Sequence, residues 1–496
     1  MMEKGITTYD AIVIGSGLSG LLCSNILARE GMRVCVIEQH HQPGGCLQTF
    51  TRKGIRFDTG VHYVGGLDPG QPLYRYWNYF GLTKSVEFMR MDPDGFDLIG
   101  FRDREYPIAM GFENFIERLL PYFPDRKESL KHYVDSLNRI AQSFPLYNLE
   151  IPGNHDEHIF KNQSAAGFFN SFQQPLSSVL GGNNLLYAGN AETTPLYIPA
   201  IINHSFISSA WRPVNGSNRI ASALVEKLES MGGELFLKQR ISEIRYRDQM
   251  FTCNSSTGMH YSAPRLISSI HPAVTLGMMD PSLFRKPYLN RISGLNNTIG
   301  SFTIHAVLKS GSFPSLHHNY YHHATEDVWT TGPGKQWPSG YMLQTPLPDS
   351  ANGFAKSLVV MASMPFEWVN KWENTTTGQR GSSYAEFKEK AADTLLKMAE
   401  QRYPWIRQAI DSMEVSTPLT WRDFTGTPEG SMYGIEHDYR NALVSSVLPA
   451  TKVPGLYFTG QNINLHGVLG VTIGSILTCS EIFGVEYLLN KIRNHE

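Results

Sequence analysis

Ala11-Ile12-Val13-Ile14-Gly15-Ser16-Gly17-Leu18-Ser19-Gly20 is the stretch that decides the fold. Four apolar residues in a row read as a short strand buried on both faces. The next glycines have the G-x-G-x-x-G spacing of a dinucleotide-binding turn. Gly15 allows the tight turn, Gly17 lets the backbone approach a pyrophosphate, and Gly20 permits close packing of helix on strand. A helix from about Leu18 to Glu30 should stop at Gly31. Its N-terminus would present free N–H groups and a positive dipole end to the phosphates, beside Ser16, Leu18 and Ser19. A second strand, Arg33 to Ile37, then delivers Glu38. A carboxylate there accepts hydrogen bonds from a ribose diol and repels a 2′-phosphate. The glycine spacing alone is a weak signal. The strand before it, the helix after it and the acid at the expected distance make it a binding unit, and a ligand-free turn would leave Glu38 unexplained.

The residues after Glu38 separate a flavin from a nicotinamide. Gln42-Pro43-Gly44-Gly45 places two adjacent glycines where a second close backbone approach is expected, and Arg56-Phe57-Asp58-Thr59-Gly60 comes next. A nicotinamide domain has no need of that approach. The chain holds no second strand–G-x-G-x-x-G–helix unit, so one bound FAD is expected. Any NAD(P)H or other electron carrier would be external, with no dedicated site.

At 496 residues the chain is long enough for two domains. Its net charge of −2 gives no reason to expect nucleic acid or an anionic membrane as partner. Five cysteines, none in a C-x-x-C pair, suit a reducing compartment, and a cytoplasmic protein is expected. The polar first residues, Met1 to Tyr9, do not read as a signal peptide. The uncharged run Val468 to Ser480 is too short to span a bilayer.

Gly15 to Gly20, the Gly44-Gly45 pair and Phe57-Asp58-Thr59-Gly60-Val61-His62 together resemble the group of phytoene desaturases, carotenoid isomerases and retinol saturases. That group belongs to the amine-oxidase-like flavoproteins. Leu456-Tyr457-Phe458-Thr459-Gly460-Gln461-Asn462, with Gly467, Gly470 and Gly474 after it, is most similar to the retinol saturases within it. Arg212-Pro213-Val214-Asn215-Gly216-Ser217 and Ser268-Ser269-Ile270-His271-Pro272 resemble two internal segments of the group. The resemblance covers residues 10–66, 210–280 and 415–485. One departure is visible: many relatives place an acid after the C-terminal glycine, where this chain has Gln461-Asn462.

The resemblance implies an α/β protein with a discontinuous Rossmann-like FAD domain over residues 1–70, 210–280 and 412–496. An α+β substrate domain would comprise 71–209 and 281–411. It implies FAD contacts from Gly60, Val61, Gly460, Gln461, Gly470 and Val471, and from the backbone at Ile241. Gly232 to Leu237 reads as a strand after the amphipathic helix Arg219 to Met231, and Ile241 to Tyr246 as a continuation of the same sheet. In the substrate domain, strands are expected at Thr298 to Lys309 and Ser357 to Met364. Helices are expected at Phe112 to Phe123, Arg126 to Phe144 and Tyr384 to Arg402. Gly332-Pro333-Gly334 and Asn374 to Ser383 read as exposed loops.

Leu196 to Trp211 is dense in apolar residues and reads as substrate-domain core, as the wall of an apolar tunnel, or as a patch dipping into a membrane surface. Two histidine-rich runs, His155 to His158 and His317 to His323, lack a ligand spacing on a defined element. They read as solvated loops, with no metal expected.

The implied function is FAD-dependent oxidation or reduction of C=C bonds in an apolar polyene or terpenoid, retinoid- or carotenoid-like. Hydride transfer at flavin N5 to an unactivated double bond requires a proton donor nearby. The candidates are His62, Tyr63, Tyr433 and His466. A flavin-dependent cis–trans isomerase needs the same cofactor site and tunnel, so that alternative stays open. An amine-oxidase-like or lipid oxidoreductase is a further alternative, although no cation-binding aromatic pair can be picked out. A flavin-binding scaffold without turnover would leave the second domain without a purpose. An insoluble substrate would bring the chain to a membrane surface, peripherally on its inner face.

Overall fold

Ala11–Ile14 forms the centre of a five-stranded parallel sheet. In this computed structural model, which describes residues 7–102, 104–152, 157–329, 337–346 and 353–495, the strand order is Glu234–Phe236, Val34–Ile37, Ala11–Ile14, Leu266–Ser268, Leu456–Phe458. Both apolar runs of the glycine unit are buried along their whole length, as a strand covered on both faces requires. The sheet draws strands from the beginning, middle and end of the chain, so its architecture is discontinuous.

The first helix, Leu18–Arg29, packs on Gly467–Phe483 and Asn218–Ser230. It is buried on nearly every side, and its own N-terminal glycines allow this. A Cβ added to Gly20 would lie 2.0 Å from the backbone oxygen of Gly15.

Ile241–Arg247 does not continue the parallel sheet. It joins Met250–Ser255, His260–Ala263 and Thr7–Thr8 in a separate four-stranded sheet. The cause is local. Asp248 and Gln249 both adopt positive φ, 50° and 61°, which is the geometry of a tight hairpin turn. The strand is therefore paired by its immediate successor.

The third large element is a seven-stranded sheet in the order Ile410–Ser416, Gly300–Leu308, Ser357–Met364, Gly340–Gln344, Asn319–His323, Asp97–Phe101, Arg104–Ile108. Its pairings are antiparallel except between Asn319–His323 and Asp97–Phe101. Residue 412 falls inside the first of these strands. The helices at Phe112–Leu119, Lys127–Gln142 and Ser382–Ala399 form close to where the apolar periodicity puts them.

The run His317 to His323 is not a solvated loop. Asn319–His323 is a strand with all five residues buried. Burial holds the His322 and His323 imidazoles near a pKa of about 4, so both rings are neutral. His323 Nε2 is satisfied by the Gly182 carbonyl at 2.6 Å, and the His322 ring stacks on Tyr341 at 5.2 Å. A neutral imidazole with a partner is an acceptable core side chain. Within Asn374 to Ser383, Arg380 is likewise buried, against Asp423. Met1 to Ile6, His155, Asp156 and Gly332-Pro333-Gly334 lie outside the described residues.

Gly20→Ala must push the first helix off Gly15. The expected cost is about 1–3 kcal/mol of stability, read as a lower thermal midpoint. An unchanged midpoint would mean that the helix relaxes freely.

Candidate functional site

A single cavity of about 1200 Å³ runs from the glycine turn to the seven-stranded sheet. At its first end the turn residues Gly15, Gly17, Leu18 and Ser19 meet Glu38, Gly44 and Gly45. Gly44 N–H donates to the Ser16 carbonyl at 2.9 Å. A Cβ on Gly45 would sit 3.1 Å from Gly17 Cα, so these two glycines bring backbone against backbone. On the other side of Gly17 a Cβ would meet nothing within 4 Å. That open space lies before the N-terminus of Leu18–Arg29, where unpaired N–H groups favour a phosphate.

Glu38 is buried. Its Oε2 accepts from the Ser16 N–H (2.9 Å) and Oγ (2.7 Å), and its Oε1 accepts from the His40 N–H (2.8 Å). The carboxylate is thus fixed at the cavity edge with lone pairs left for a diol. Ile241, with Gln239 and Ser256, closes this end.

Further along, Gly60 and Val61 face Gly460, Gln461, Gly470 and Val471. Gly60 has no room for a side chain: a Cβ would lie 3.0 Å from both Cys46 Cβ and the Trp421 ring. A Cβ on Gly470 would lie 2.4 Å from the Leu465 carbonyl oxygen. The helix Gly467–Phe483 begins here, one residue before the expected Val468, and its first residues line the cavity with their free N–H groups.

Of the residues expected at the cofactor, Ser16 and Gly20 do not line the cavity. Ser16 is fully buried and holds Glu38, and Gly20 packs the helix. The remaining fourteen line it: Gly15, Gly17, Leu18, Ser19, Glu38, Gly44, Gly45, Gly60, Val61, Ile241, Gly460, Gln461, Gly470 and Val471.

All four proton-donor candidates line its far half, and their surroundings differ. Burial, then the Arg212 charge, lowers the His62 pKa to about 4. Burial, then His437, lowers that of His466 to about 3. Both imidazoles are therefore neutral near pH 7. His466 Nδ1 is buried without a hydrogen-bond partner among the described residues. Tyr433 stacks on His466 with ring centroids 4.4 Å apart, and its hydroxyl donates to the Leu186 carbonyl at 2.5 Å. Burial holds the Tyr433 phenol protonated. Tyr63 is also kept protonated by burial and by Asp97, to whose Oδ2 it donates at 3.1 Å.

The rest of the far half is apolar: Leu186, Ile201, Ile202, Phe206, Met342, Met361, Met432 and Leu465. Ile201, Ile202 and Phe206 belong to the helix Tyr197–Ser208. That segment is both core and cavity wall, and its burial keeps it away from any membrane surface. Tyr321, Trp421 and the Thr425 to Pro428 loop also line the cavity. Sequence reasoning missed Tyr321 because the surrounding histidines disguised a strand. It missed Trp421 because no spacing marks a residue placed only by tertiary contact.

The family described as flavin containing amine oxidoreductase matches residues 18–479. All-trans-retinol 13,14-reductase of Homo sapiens is 23% identical over 532 residues, covering 95% of this chain and 85% of the relative. Prolycopene isomerase 2, chloroplastic, of an Oncidium hybrid cultivar is 25% identical over 514 residues, covering 96% and 84%. Among solved structures, putrescine oxidase bound to putrescine superposes with a TM-score of 0.63 at 14% identity, covering 98% of this chain and all (100%) of that one. The cofactor is FAD, and the glycine cradle, the buried acid and the helix N-termini fit it.

Glu38→Ala removes an ionic acceptor. FAD affinity should fall roughly 10- to 100-fold, read as the flavin-to-protein absorbance ratio after dialysis. Full flavin retention would take Glu38 out of the site.

Proposed function

This chain belongs to the flavin-containing amine oxidoreductases, and from that premise we propose an FAD-dependent oxidoreductase acting on C=C bonds of an apolar polyene, retinoid- or carotenoid-like, most simply by saturation. The far half of the cavity carries this reading, because it offers apolar and aromatic walls with no unpaired charge. The carboxylates among its lining residues are Glu38, at the cofactor end, and Asp423, paired with Arg380. A polyene has little to grip except apolar surface, so such a wall suits it.

An amine substrate fits less well. Holding a cation between two rings needs a gap of about 7 Å, two carbon contacts of about 3.5 Å. Tyr433 and His466 are stacked at 4.4 Å and leave none. An isomerase remains the second reading, since a prolycopene isomerase is among the relatives and would use the same walls.

Bound FAD supplies hydride chemistry at its N5. The chain's own groups do the rest. The N-terminus of Gly467–Phe483 favours negative charge at the cavity. The apolar wall excludes water, which strengthens that effect. His62 and His466 are neutral and so are poor acids near pH 7. The Tyr433 hydroxyl is spent on a carbonyl. We assign the proton to the Tyr63 side of the cavity, where the Tyr63 and Tyr321 hydroxyls share a hydrogen bond of 2.8 Å. The electron donor would be an external nicotinamide or other carrier.

No helix among the described residues is long and apolar enough to cross a membrane. We assign a peripheral membrane contact to Leu443 and Leu448, which are 88% and 72% exposed. Replacing both by serine should abolish flotation with phosphatidylcholine vesicles. Unchanged flotation, or none by the wild type, would remove that contact.

The substrate test is anaerobic. Reduced protein mixed with all-trans-retinol or a short carotenoid should reoxidise its flavin and give a product two hydrogens heavier. Unchanged mass with a shifted polyene spectrum would make the protein an isomerase. No change in either would exclude these polyenes.

A further inference from the structure

Behind the apolar wall lies a buried polar cluster that cofactor binding does not use. Asp97, fully buried, opens the strand Asp97–Phe101. The parallel register of this strand with Asn319–His323 sets Asn319 opposite Asp97. Asn319 Nδ2 donates to Asp97 Oδ1 at 2.8 Å. Arg212 Nη2 donates to Oδ1 of the same asparagine at 2.7 Å, and its Nη1 is held by the Leu316 and Thr345 carbonyls. One amide therefore separates the guanidinium charge from the carboxyl. The other carboxyl oxygen, Oδ2, meets the Tyr63 hydroxyl at 3.1 Å, and that hydroxyl meets the Tyr321 hydroxyl at 2.8 Å. Both tyrosines line the cavity.

The hydrogens in this relay can be counted. With Asp97 ionised, Tyr63 donates to Asp97 and Tyr321 donates to Tyr63, so no hydroxyl proton is left over. With Asp97 protonated on Oδ2, the two bonds of the tyrosine hydroxyls reverse. Asp97 donates to Tyr63, Tyr63 donates to Tyr321, and the Tyr321 proton is unspent. Tyr321 has no other hydrogen-bond partner among the described residues, so that proton is free for the cavity.

We propose that Asp97 stores the proton used in the cavity and passes it through Tyr63 to Tyr321, whose hydroxyl delivers it to a substrate carbon. This rests on the C=C reading above. The Asp97 O–H breaks as a Tyr63 O–H forms, the proton already on Tyr63 moves to Tyr321, and that of Tyr321 moves to carbon. The substrate's π pair becomes the new C–H bond, and the electron-poor neighbouring carbon would take the hydride, the chemistry that bound, reduced FAD would supply. A nicotinamide or another two-electron donor restores the reducing equivalents. Asp97 is left as a carboxylate, stabilised by Asn319 with Arg212 behind it. It refills from water in the emptied cavity by the same relay in reverse. Tyr321 is the catalytic residue, and Asp97 acts through it.

The electrostatics agree. Burial raises the Asp97 pKa to about 7, opposed by Asn319, Tyr63 and Arg212. The charged and titratable groups facing it are Tyr63, Tyr321 and Arg212. The acid is thus protonated below neutrality and ionised above it.

Infrared spectroscopy of the wild-type holoenzyme, without substrate, should show a protonated carboxyl band that disappears as pH rises through neutrality. The band should be absent in Asp97→Asn. In turnover, Tyr321→Phe should lower kcat roughly 10²–10⁴-fold with KM held, and wild-type kcat should fall above neutral pH. Absence of the band in the wild type, or full kcat in Tyr321→Phe, overturns the proposal. A band present in a protein that turns over no polyene supports the proton store and overturns the substrate reading instead.

Discussion

The close approach of backbone to backbone between Gly17 and Gly45 is the contact on which the remaining structure depends. It joins the turn after Ala11–Ile14 to the segment after Glu38 and leaves open space on the other face of Gly17. The shape of the cofactor end comes from keeping that space clear. Ser16 is withdrawn to hold Glu38, Gly20 lets the first helix seat on its strand, and Gly60 and Gly470 let two further chain segments close in. Side chains at Gly20, Gly60 and Gly470 would collide with neighbouring protein atoms and force these segments apart, whereas one at Gly17 would enter the open space.

The cavity changes character along its length. Its first half offers backbone N–H groups, helix N-termini and one fixed carboxylate, all suited to phosphate and ribose. Its second half removes water. Desolvation there acts on every titratable group in the same sense, toward the neutral form. His62 and His466 lose their protons, while Tyr63, Tyr321 and Tyr433 keep theirs. The rings of this half that carry a proton are therefore phenols and not imidazolium. Asp97 is the group in which burial and three opposing partners balance close to neutrality.

Much of the cofactor end was legible in the sequence because its requirements are local. A turn with no room for Cβ demands glycine, a doubly covered strand demands an unbroken apolar run, and a ribose demands an acid at a set distance. The catalytic end was legible only in part. Tyr63 and Tyr433 could be named from the segments they occupy, yet nothing in those segments says that one phenol is spent on the Leu186 carbonyl and the other is linked to Asp97. Tyr321 and His323 sit in a run whose polar letters suggest solvent. Their burial depends on strands some 20 and more than 200 residues away. Ile241 lines the cavity, but its strand lies in a different sheet from the expected one, because a two-residue turn at positive φ captured it.

Sequence alone determined that this chain binds a dinucleotide through a Rossmann-like unit, that the dinucleotide is a flavin, and most of the glycines that line the cavity. These properties rest on steric rules that act within a few residues of backbone. Tertiary structure alone decided which rings are neutral and which hydroxyls are already hydrogen-bonded. Both depend on burial and on partners such as Asp97, Asn319 and Arg212, brought together from distant segments, and desolvation is a function of the folded volume and not of neighbours in the chain.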